Sequence, residues 1–403
     1  MPPRLLHALE AAAAGREIAL VGGAVRDLLL HRVHCDPWRG LPDLDLVVEG
    51  SAAELVERLA GILPPGAVRW CRDHGAYGTV ELELQWPEGE SWLLDVATAR
   101  REHYPQPGHN PEVLPGLLAD DLARRDFTVN AMALCLSSGA LLDPHGGQRD
   151  LAQRELRLLH EQSVRDDPTR LLRAARYAAR LGFALAAASG QQVVDTLSRW
   201  PWDWRPGDPP ELAPPALASR LRMELNVLLS REPWGEALAA LQDWGGLVLL
   251  DAALQNDRHW RQRLSWAQRF GVPLIVALLA QASDPCALAR RLQLPHQQQR
   301  SLRSLVSLRQ WLAELESAET EHWSASAWTQ RLEAQPDAAL AVPLALACGD
   351  PQRRPLLRWW LRWRHVGPGI TAQALLDAGM RPGPALGERL RELRAERLDA
   401  ERI

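Results

Sequence analysis

The sequence predicts an α+β chain: a head with a small mixed or antiparallel sheet, followed by an all-α remainder. Three features predict it. Before residue 160, short apolar runs alternate with helical segments. Within that stretch Thr79, Glu81 and Glu83 alternate strictly with Val80, Leu82 and Leu84, the period of a half-exposed strand. From about residue 163 onward, apolar positions recur at helical spacing and no strand pattern is found.

Each element follows from local chemistry. A helix near 3–14 leads into a strand at Ile18–Val21, a Gly22-Gly23 turn and a helix over Ala24–Leu30. The strand Leu44–Val48 precedes a helix over Ala52–Ile62, and two more strands are expected at Gly78–Trp86 and Trp92–Ala97. Pro105, Pro107, Pro111 and Pro115, with Gly108 and Gly116, make 104–116 a loop. Residues 143–151 read as a turn before a short helix. Helices are then expected over 168–183, 214–230, 234–242, 258–268, 272–282, 298–315 and 326–334, with proline-rich breaks between them. The basic, Trp-rich segment 353–365 forms a further helix, its tryptophans turned to the core, and a last loop and helix run from Gly367 to Leu398. The expected boundaries are a head at 1–160, a helical neck at 161–232, a helical body at 233–350 and a basic tail at 351–403.

Composition narrows the function classes. The chain has 403 residues, enough for several domains. No apolar run reaches the ~18 residues that span a bilayer, and no basic-then-apolar leader opens the chain, so a cytoplasmic protein is expected. The five cysteines are scattered without a CxxC, which supports neither a disulfide framework nor a zinc site. Every basic residue is arginine; lysine is absent, a usage that reads as genomic. Charge is split. Residues 1–150 hold 13 Arg against 22 Asp and Glu, and residues 351–403 hold 11 Arg against 6 acids. An acidic head that gathers metal and a basic tail that meets phosphates suit a nucleic-acid substrate.

Residues 21–30 read Val-Gly-Gly-Ala-Val-Arg-Asp-Leu-Leu-Leu, and 43–48 read Asp-Leu-Asp-Leu-Val-Val. A Gly-Gly turn brings backbone N–H groups close to a phosphate, and the helix after it points its N-terminus there. Asp43 and Asp45 alternate, so both carboxylates leave one face of the sheet. Paired carboxylates suit Mg²⁺ that also holds substrate phosphates. Together these segments describe a site for moving a nucleotidyl group.

Residues 120–133 read Asp-Asp-Leu-Ala-Arg-Arg-Asp-Phe-Thr-Val-Asn-Ala-Met-Ala. Arg125 and Asp126 adjoin, with Asn130 one helical turn later; arginine can hold a triphosphate and aspartate can accept from ribose hydroxyls. Residues 166–176 read Asp-Asp-Pro-Thr-Arg-Leu-Leu-Arg-Ala-Ala-Arg. Asp166 is placed to cap the helix that follows, with Pro168 in its first turn. Asp167, Arg170 and Arg173 then share a face, which also describes a surface ion pair beside a cap.

Taken together, Gly22–Asp27, Asp43–Asp45, Arg124–Ala133, Asp143–Leu151 and Asp167–Phe183 resemble the class II tRNA nucleotidyltransferases, the family of CCA-adding enzymes and bacterial poly(A) polymerases. Gly75–Val80 and Asp95–Tyr104 also look like the family's head, and Ile370–Asp399 like the end of bacterial members. The resemblance is dense over 17–185, thins through the helical middle and returns at the end. It implies a nucleotidyltransferase head that transfers CMP or AMP from CTP or ATP to the 3′-end of tRNA, releasing pyrophosphate. Asp43 and Asp45 would be catalytic and bind two Mg²⁺ ions, with Asp95 a possible further carboxylate. Gly22, Gly23 and Arg26 would hold the phosphates. Arg125 and Asp126 would bind phosphate and sugar, supported by Asn130. Asp167 and Arg170 would read the base edge from the neck, with Arg173 and Arg176 nearby, and the tail would contact tRNA.

The chain departs from the family's pattern in four places. His31–Gly40 form an extra loop, and Pro42 stands where a basic residue usually precedes the carboxylate pair. The reader begins Asp166-Asp167 rather than Glu-Asp. Residues 104–116 lack the paired arginines of the loop linked to switching from C to A. Full CCA, CC-only and A-only addition therefore stay open, as do polyadenylation of other RNAs, an inactive RNA-binding relative and a small-molecule nucleotidyltransferase. Oligomeric state is not legible.

Overall fold

A computed structural model describes residues 2–38, 40, 43–75, 78–86, 89, 91–315 and 320–400. Arg39 of the extra loop, Pro42, Ala76 and Tyr77 of the 75–80 motif, and the tail's last residues 401–403 lie outside these. Chain contacts divide the protein into two compact units. One comprises residues 1–205 and 214–246, the other 206–213 and 247–403. The expected head, and the expected neck apart from residues 206–213, thus fall in the first unit, together with the opening of the expected body.

The first unit is built on a seven-stranded mixed sheet. Its elements begin α1 (Pro3–Ala13), β1 (Ile18–Val21), α2 (Gly23–Arg32), β2 (Leu44–Val48) and α3 (Ala52–Ile62). They continue β3 (Val68–His74), β4 (Thr79–Gln85), β5 (Ser91–Thr98), β6 (Arg100–His103), β7 (Glu112–Pro115) and α4 (Leu118–Ala123). Two short strands follow, β8 (Ala133–Cys135) and β9 (Leu141–Leu142), before α5 (Gly147–Gln153). The strand order is β3-β4-β5-β2-β1-β8-β9. Only β2 and β5 pair in parallel, and that register sets Asp45 beside Asp95. Glu81 follows on the other side of Asp95, so three carboxylates lie in one row across the sheet. Four-residue β1 is buried throughout, which is why its sequence is a continuous apolar run. Beneath the sheet, Ala19, Val21, Val47, Leu118, Leu122 and Ala133 belong to one buried cluster. Ser51 opens α3 by accepting from the Glu54 N–H at 3.2 Å, an N-cap that satisfies an otherwise orphaned donor.

Several expectations are corrected. Residues 104–116 are not all loop: Glu112–Pro115 pairs antiparallel with Arg100–His103. A strand does occur after residue 163, because β10 (Glu155–Leu156) pairs in parallel with β11 (Ala184–Leu185). It is two residues long, too short to carry a period. Asp43 precedes β2 in a bend, so only Asp45 lies on the strand. Asn130 closes a 3₁₀ turn over Thr128–Asn130 instead of an α-helical one. The extra loop closes on itself: His31 Nδ1 lies 3.0 Å from the Asp36 carbonyl, and Arg154 donates to the Asp36 carboxylate at 2.6 Å.

Helices α6 (Ser163–Asp166), α7 (Thr169–Leu181), α8 (Ala187–Arg199), α9 (Ser219–Arg231) and α10 (Trp234–Asp243) complete the first unit. α7 is strongly amphipathic. It buries Leu171, Leu172, Ala174 and Ala175, and ends at Gly182, whose φ of +70° no β-carbon opposes. The capping aspartate is Asp167 and not Asp166: its Oδ1 accepts from the Thr169 N–H at 3.0 Å.

The second unit is helical. Its segment Ala338–Cys348 buries Ala341, Val342, Pro343, Leu344, Ala345 and Leu346, apolar on all sides and hence without helical periodicity. In the Trp-rich helix Arg353–Leu361 and the turn after it, Trp359 and Trp363 are buried, as expected. The last helix, Pro384–Ala400, is fastened to this unit. Arg394 clasps Glu333 at 2.6 and 2.7 Å, and Asp399 accepts from the Ser326 N–H and hydroxyl. No described helix is long and apolar enough to cross a membrane.

Candidate active site

A cleft of about 460 Å³ in the first unit is walled by Gly22, Gly23 and Asp45 on the sheet side and by Arg170, Arg173 and Arg220 on the helical side. The Gly22 turn follows the buried strand β1. Gly22 has φ +68°, a conformation that strains other residues, and a β-carbon there would lie 3.0 Å from Arg125 Nη1 and 3.4 Å from Asp45 Oδ2. A phosphate drawn to the turn therefore meets a guanidinium and a carboxylate within one residue's reach. Gly22→Ala is expected to slow nucleotide addition about 10-fold or more without unfolding the protein, since the strain at one turn costs only ~1–3 kcal/mol. Unchanged kcat/KM in a folded variant would remove the turn from the site.

Asp45 is held well above the usual carboxylate range. Burial, with Asp43 and Asp95 adding like charge, raises its carboxyl to about 6 despite Arg125 and Arg26. Asp95 is raised by burial, then by Glu81 and Asp43, and its Oδ1 is buried without a partner among the described residues. Crowded carboxylates with an orphaned oxygen fit a hard divalent cation, which would neutralise them. Among the described residues no cluster of three or more His, Cys, Asp or Glu is arranged to hold a metal. The cation's remaining ligands would then come from substrate and water, the manner in which Mg²⁺ is usually held beside phosphates.

The arginines divide by commitment. Arg26 is buried and turned inward. It chelates Asp27 at 2.8 and 3.0 Å, donates to Asn130 Oδ1 at 2.8 Å and lies over the Tyr177 ring. Its guanidinium is a strut under the turn, not part of the open wall. Arg125 is held by Asp121, which is fully buried and also grips Arg124. Asp126 is the hub. Its Oδ1 accepts from the Phe127 N–H at 2.8 Å and from Asn130 Nδ2 at 3.0 Å, while Oδ2 takes Arg173 at 2.6 and 2.8 Å. Burial opposes its ionisation, but Arg173 and the Asn130 amide outweigh burial and hold the carboxyl below its usual range. Its acceptor positions are largely filled from within, so a sugar hydroxyl would share them with Arg173. Arg176 does not line the cleft itself but pairs with Glu224, which does, and with Glu232, and Arg180 also pairs with Glu232.

Asp167 and Arg170 are brought together at the cleft but do not pair with each other. Asp167 Oδ1 accepts from the Thr169 N–H and hydroxyl, and Oδ2 takes Arg220. Arg170 donates to the Arg124 carbonyl at 3.2 Å and meets His160 Nε2 at 3.3 Å. A guanidinium only donates, so His160 accepts through a neutral ring. Burial and Arg170 lower its pKa to about 4, which keeps it neutral. Tyr104 closes the cleft, its hydroxyl donating to Glu102 at 3.2 Å. Burial and then Glu102 push its phenol up to about 12. Sequence reasoning missed Tyr104, Glu102, Arg220 and Glu224. The last two lie four apart on α9, a spacing indistinguishable in sequence from a surface ion pair.

A wall that can hold hard cations, a triphosphate and a base defines the class, a nucleotidyltransferase. Residues 18–157 match the Poly A polymerase head domain family. The chain is 37% identical to the CC-adding tRNA nucleotidyltransferase of Deinococcus radiodurans over 94% of its own length and 83% of that protein. It is 30% identical to the A-adding tRNA nucleotidyltransferase of Halalkalibacterium halodurans, over 92% of the chain and 82% of the relative. A solved CCA-adding enzyme in its apo form shares the fold, with a TM-score of 0.71 at 24% identity, covering 100% of this chain and 94% of the other. The chain belongs to the class II tRNA nucleotidyltransferases. It is an RNA nucleotidyltransferase of the family that transfers CMP or AMP to tRNA 3′-ends, and the family depends on divalent metal.

Proposed function

We propose that this enzyme adds two CMP residues to tRNA and stops, leaving the terminal A to another enzyme. The fastening of residues 100–116 carries this reading. In the family this stretch holds the loop linked to switching from C to A, and such a switch needs an element free to move against the base reader. Here β6 and β7 form a ribbon. Beside it, the Gly108 N–H donates to the Asp166 carbonyl at 3.1 Å, and the Ala216 N–H donates to the Gly108 carbonyl at 3.0 Å. The segment is tied to the residue next to the reader. Likeness over most of both chains to a CC-adding enzyme supports the same limit.

In this reading Asp43 and Asp45 hold Mg²⁺, with Asp95 flanking them. Two bound cations would polarise the tRNA 3′-hydroxyl and neutralise the triphosphate. The Gly22-Gly23 turn and Arg125 receive the phosphates. Arg26 and Asn130 hold the turn and Asp126 in place, and Asp126 presents Arg173 and shares the sugar. Asp167 accepts from the exocyclic amino group of the base, and Arg170 donates to a ring acceptor. Arg176 fixes α7 against α9 behind the reader, and the arginines of 351–403 meet the tRNA backbone.

The test supplies tRNA lacking CCA, ending in C or ending in CC, and a generic RNA, with CTP or ATP separately, and sequences the products. Two C additions and no growth of the CC-ended tRNA are expected. AMP added to that tRNA would overturn the CC limit, and long A tracts on generic RNA would point to polyadenylation.

A further inference from the structure

We propose that Arg220 is a third base-reading group, and that it selects cytosine over adenine. The inference rests on the proposed reading of the base by Asp167 and Arg170.

Arg220 lies in the first turn of α9 and lines the cleft. Its Nη2 binds Asp167 Oδ2, the oxygen that the helix cap leaves unused. Its Nη1 is buried and has no hydrogen-bond partner among the described residues. A buried charged donor without an acceptor is costly, and such a group inside a binding cleft is poised for a ligand acceptor. Arg170 is partly engaged, through Nη1 with His160 and the Ser163 carbonyl and through Nη2 with the Arg124 carbonyl, so three of its five donors are taken and it has few left for a base.

The base edges decide what that acceptor is. Cytosine presents an amino donor, a ring-nitrogen acceptor and, beyond it, the O2 acceptor. Adenine presents the amino donor and the ring nitrogen, then a C–H. With the amino group on Asp167 and the ring nitrogen on Arg170, only cytosine has a third group for the Arg220 Nη1 donors. An adenine would leave them buried and unpaired. Sites built on hydrogen bonds reject substrates that leave a polar group unmatched. Arg220 also fixes the Asp167 carboxylate, so the two roles must be separated by experiment.

The experiment measures kcat/KM for CTP, ATP and 2-thio-CTP, whose sulfur is a poor acceptor, in the full-length wild-type enzyme and in Arg220→Leu and Arg220→Lys. The wild type is expected to use 2-thio-CTP about 10- to 100-fold less well than CTP. In Arg220→Leu that penalty should fall to near unity and the CTP/ATP preference should drop by a similar factor, while Arg220→Lys, which keeps a donor, should retain part of both. A wild type indifferent to sulfur overturns the proposal, even if the Leu variant fails to fold. So does a Leu variant in which CTP and ATP fall together with the sulfur penalty intact, since Arg220 would then be only a brace for Asp167. If Asp167→Ala kept wild-type base choice, the underlying reading by Asp167 would fail instead, whatever Arg220 does.

Discussion

Asp45→Ala is expected to lower nucleotide addition by about 10³-fold or more, with the protein still folded. Cation-based stabilisation of transition-state charge amounts to several kcal/mol, and each 1.36 kcal/mol is tenfold in rate. Asp45 is the strand-borne member of the pair, buried and beside both Asp43 and Asp95. That burial, with the like charge of Asp43 and Asp95, gives a signature without turnover. In the metal-free protein the Asp45 carboxyl is raised from 3.8 to about 6. A folded-state value above the unfolded one means that ionisation opposes folding. This group's contribution is therefore best below the unfolded value and is lost as pH rises through about 6. A bound cation takes the ionised form and reverses the effect. Mg²⁺ should raise the melting temperature more at about pH 7.5 than at about pH 5.5, and Asp45→Asn should abolish the difference. A wild-type rate for Asp45→Ala at saturating Mg²⁺ would sink the assignment.

Asp167→Ala is expected to collapse discrimination between CTP and UTP, by ~10²-fold or more, with addition itself less affected. Uracil carries a carbonyl where cytosine carries its amino group, so it would meet the Asp167 oxygen with a second acceptor. Hydrogen-bond-based rejection reaches ~10⁴–10⁵ in favourable sites. Asp167 also caps α7 through Thr169, so the alanine variant should melt earlier by ~1 kcal/mol. Asp167→Asn separates the two effects. Its amide keeps an oxygen for the cap and offers a donor to the uracil carbonyl, so UTP use should rise relative to CTP. Incorporation of all four nucleotides by the three proteins is the measurement. If Asp167→Ala only melted earlier and kept wild-type selectivity, Asp167 would be a cap alone.

Most of the head was legible because its chemistry is local. β1, β2 and α3 match their expected bounds, since buried strands read as apolar runs and Ser51 marks a helix start. The Gly22 turn and the Asp43–Asp45 pair carry their meaning in adjacent residues. Elements without an apolar period of their own were missed. Val68–His74 is mostly exposed and has no apolar period, so only its pairing with Thr79–Gln85 reveals it as a strand. Ala338–Cys348 is apolar all round, and α8 buries few side chains. In the cleft, Gly22, Gly23, Asp45, Arg125, Asp126, Asn130, Asp167, Arg170 and Arg173 were singled out in sequence, but Tyr104, Glu102, Arg220 and Glu224 were not, and the bonds among them were not legible. That Arg26 faces inward, or that Asp167 takes Arg220 from 53 positions away, depends on packing that no spacing records.

The cations among the described residues of the cleft wall are all arginines, which fixes what a rate profile can report at alkaline pH. Among the described residues the cleft lining contains no lysine, histidine or cysteine, and its phenols, Tyr104 and Tyr177, belong to a side chain that ordinarily ionises only near pH 10. Guanidinium groups stay charged beyond that pH, and Tyr104 is displaced to about 12. The potential offered to a triphosphate should hold nearly level where a lysine-lined site would begin to discharge. An alkaline limb below about pH 9 in the turnover of this enzyme would belong to the reacting hydroxyl or to water on a bound cation, and its midpoint should move when one divalent cation is exchanged for another.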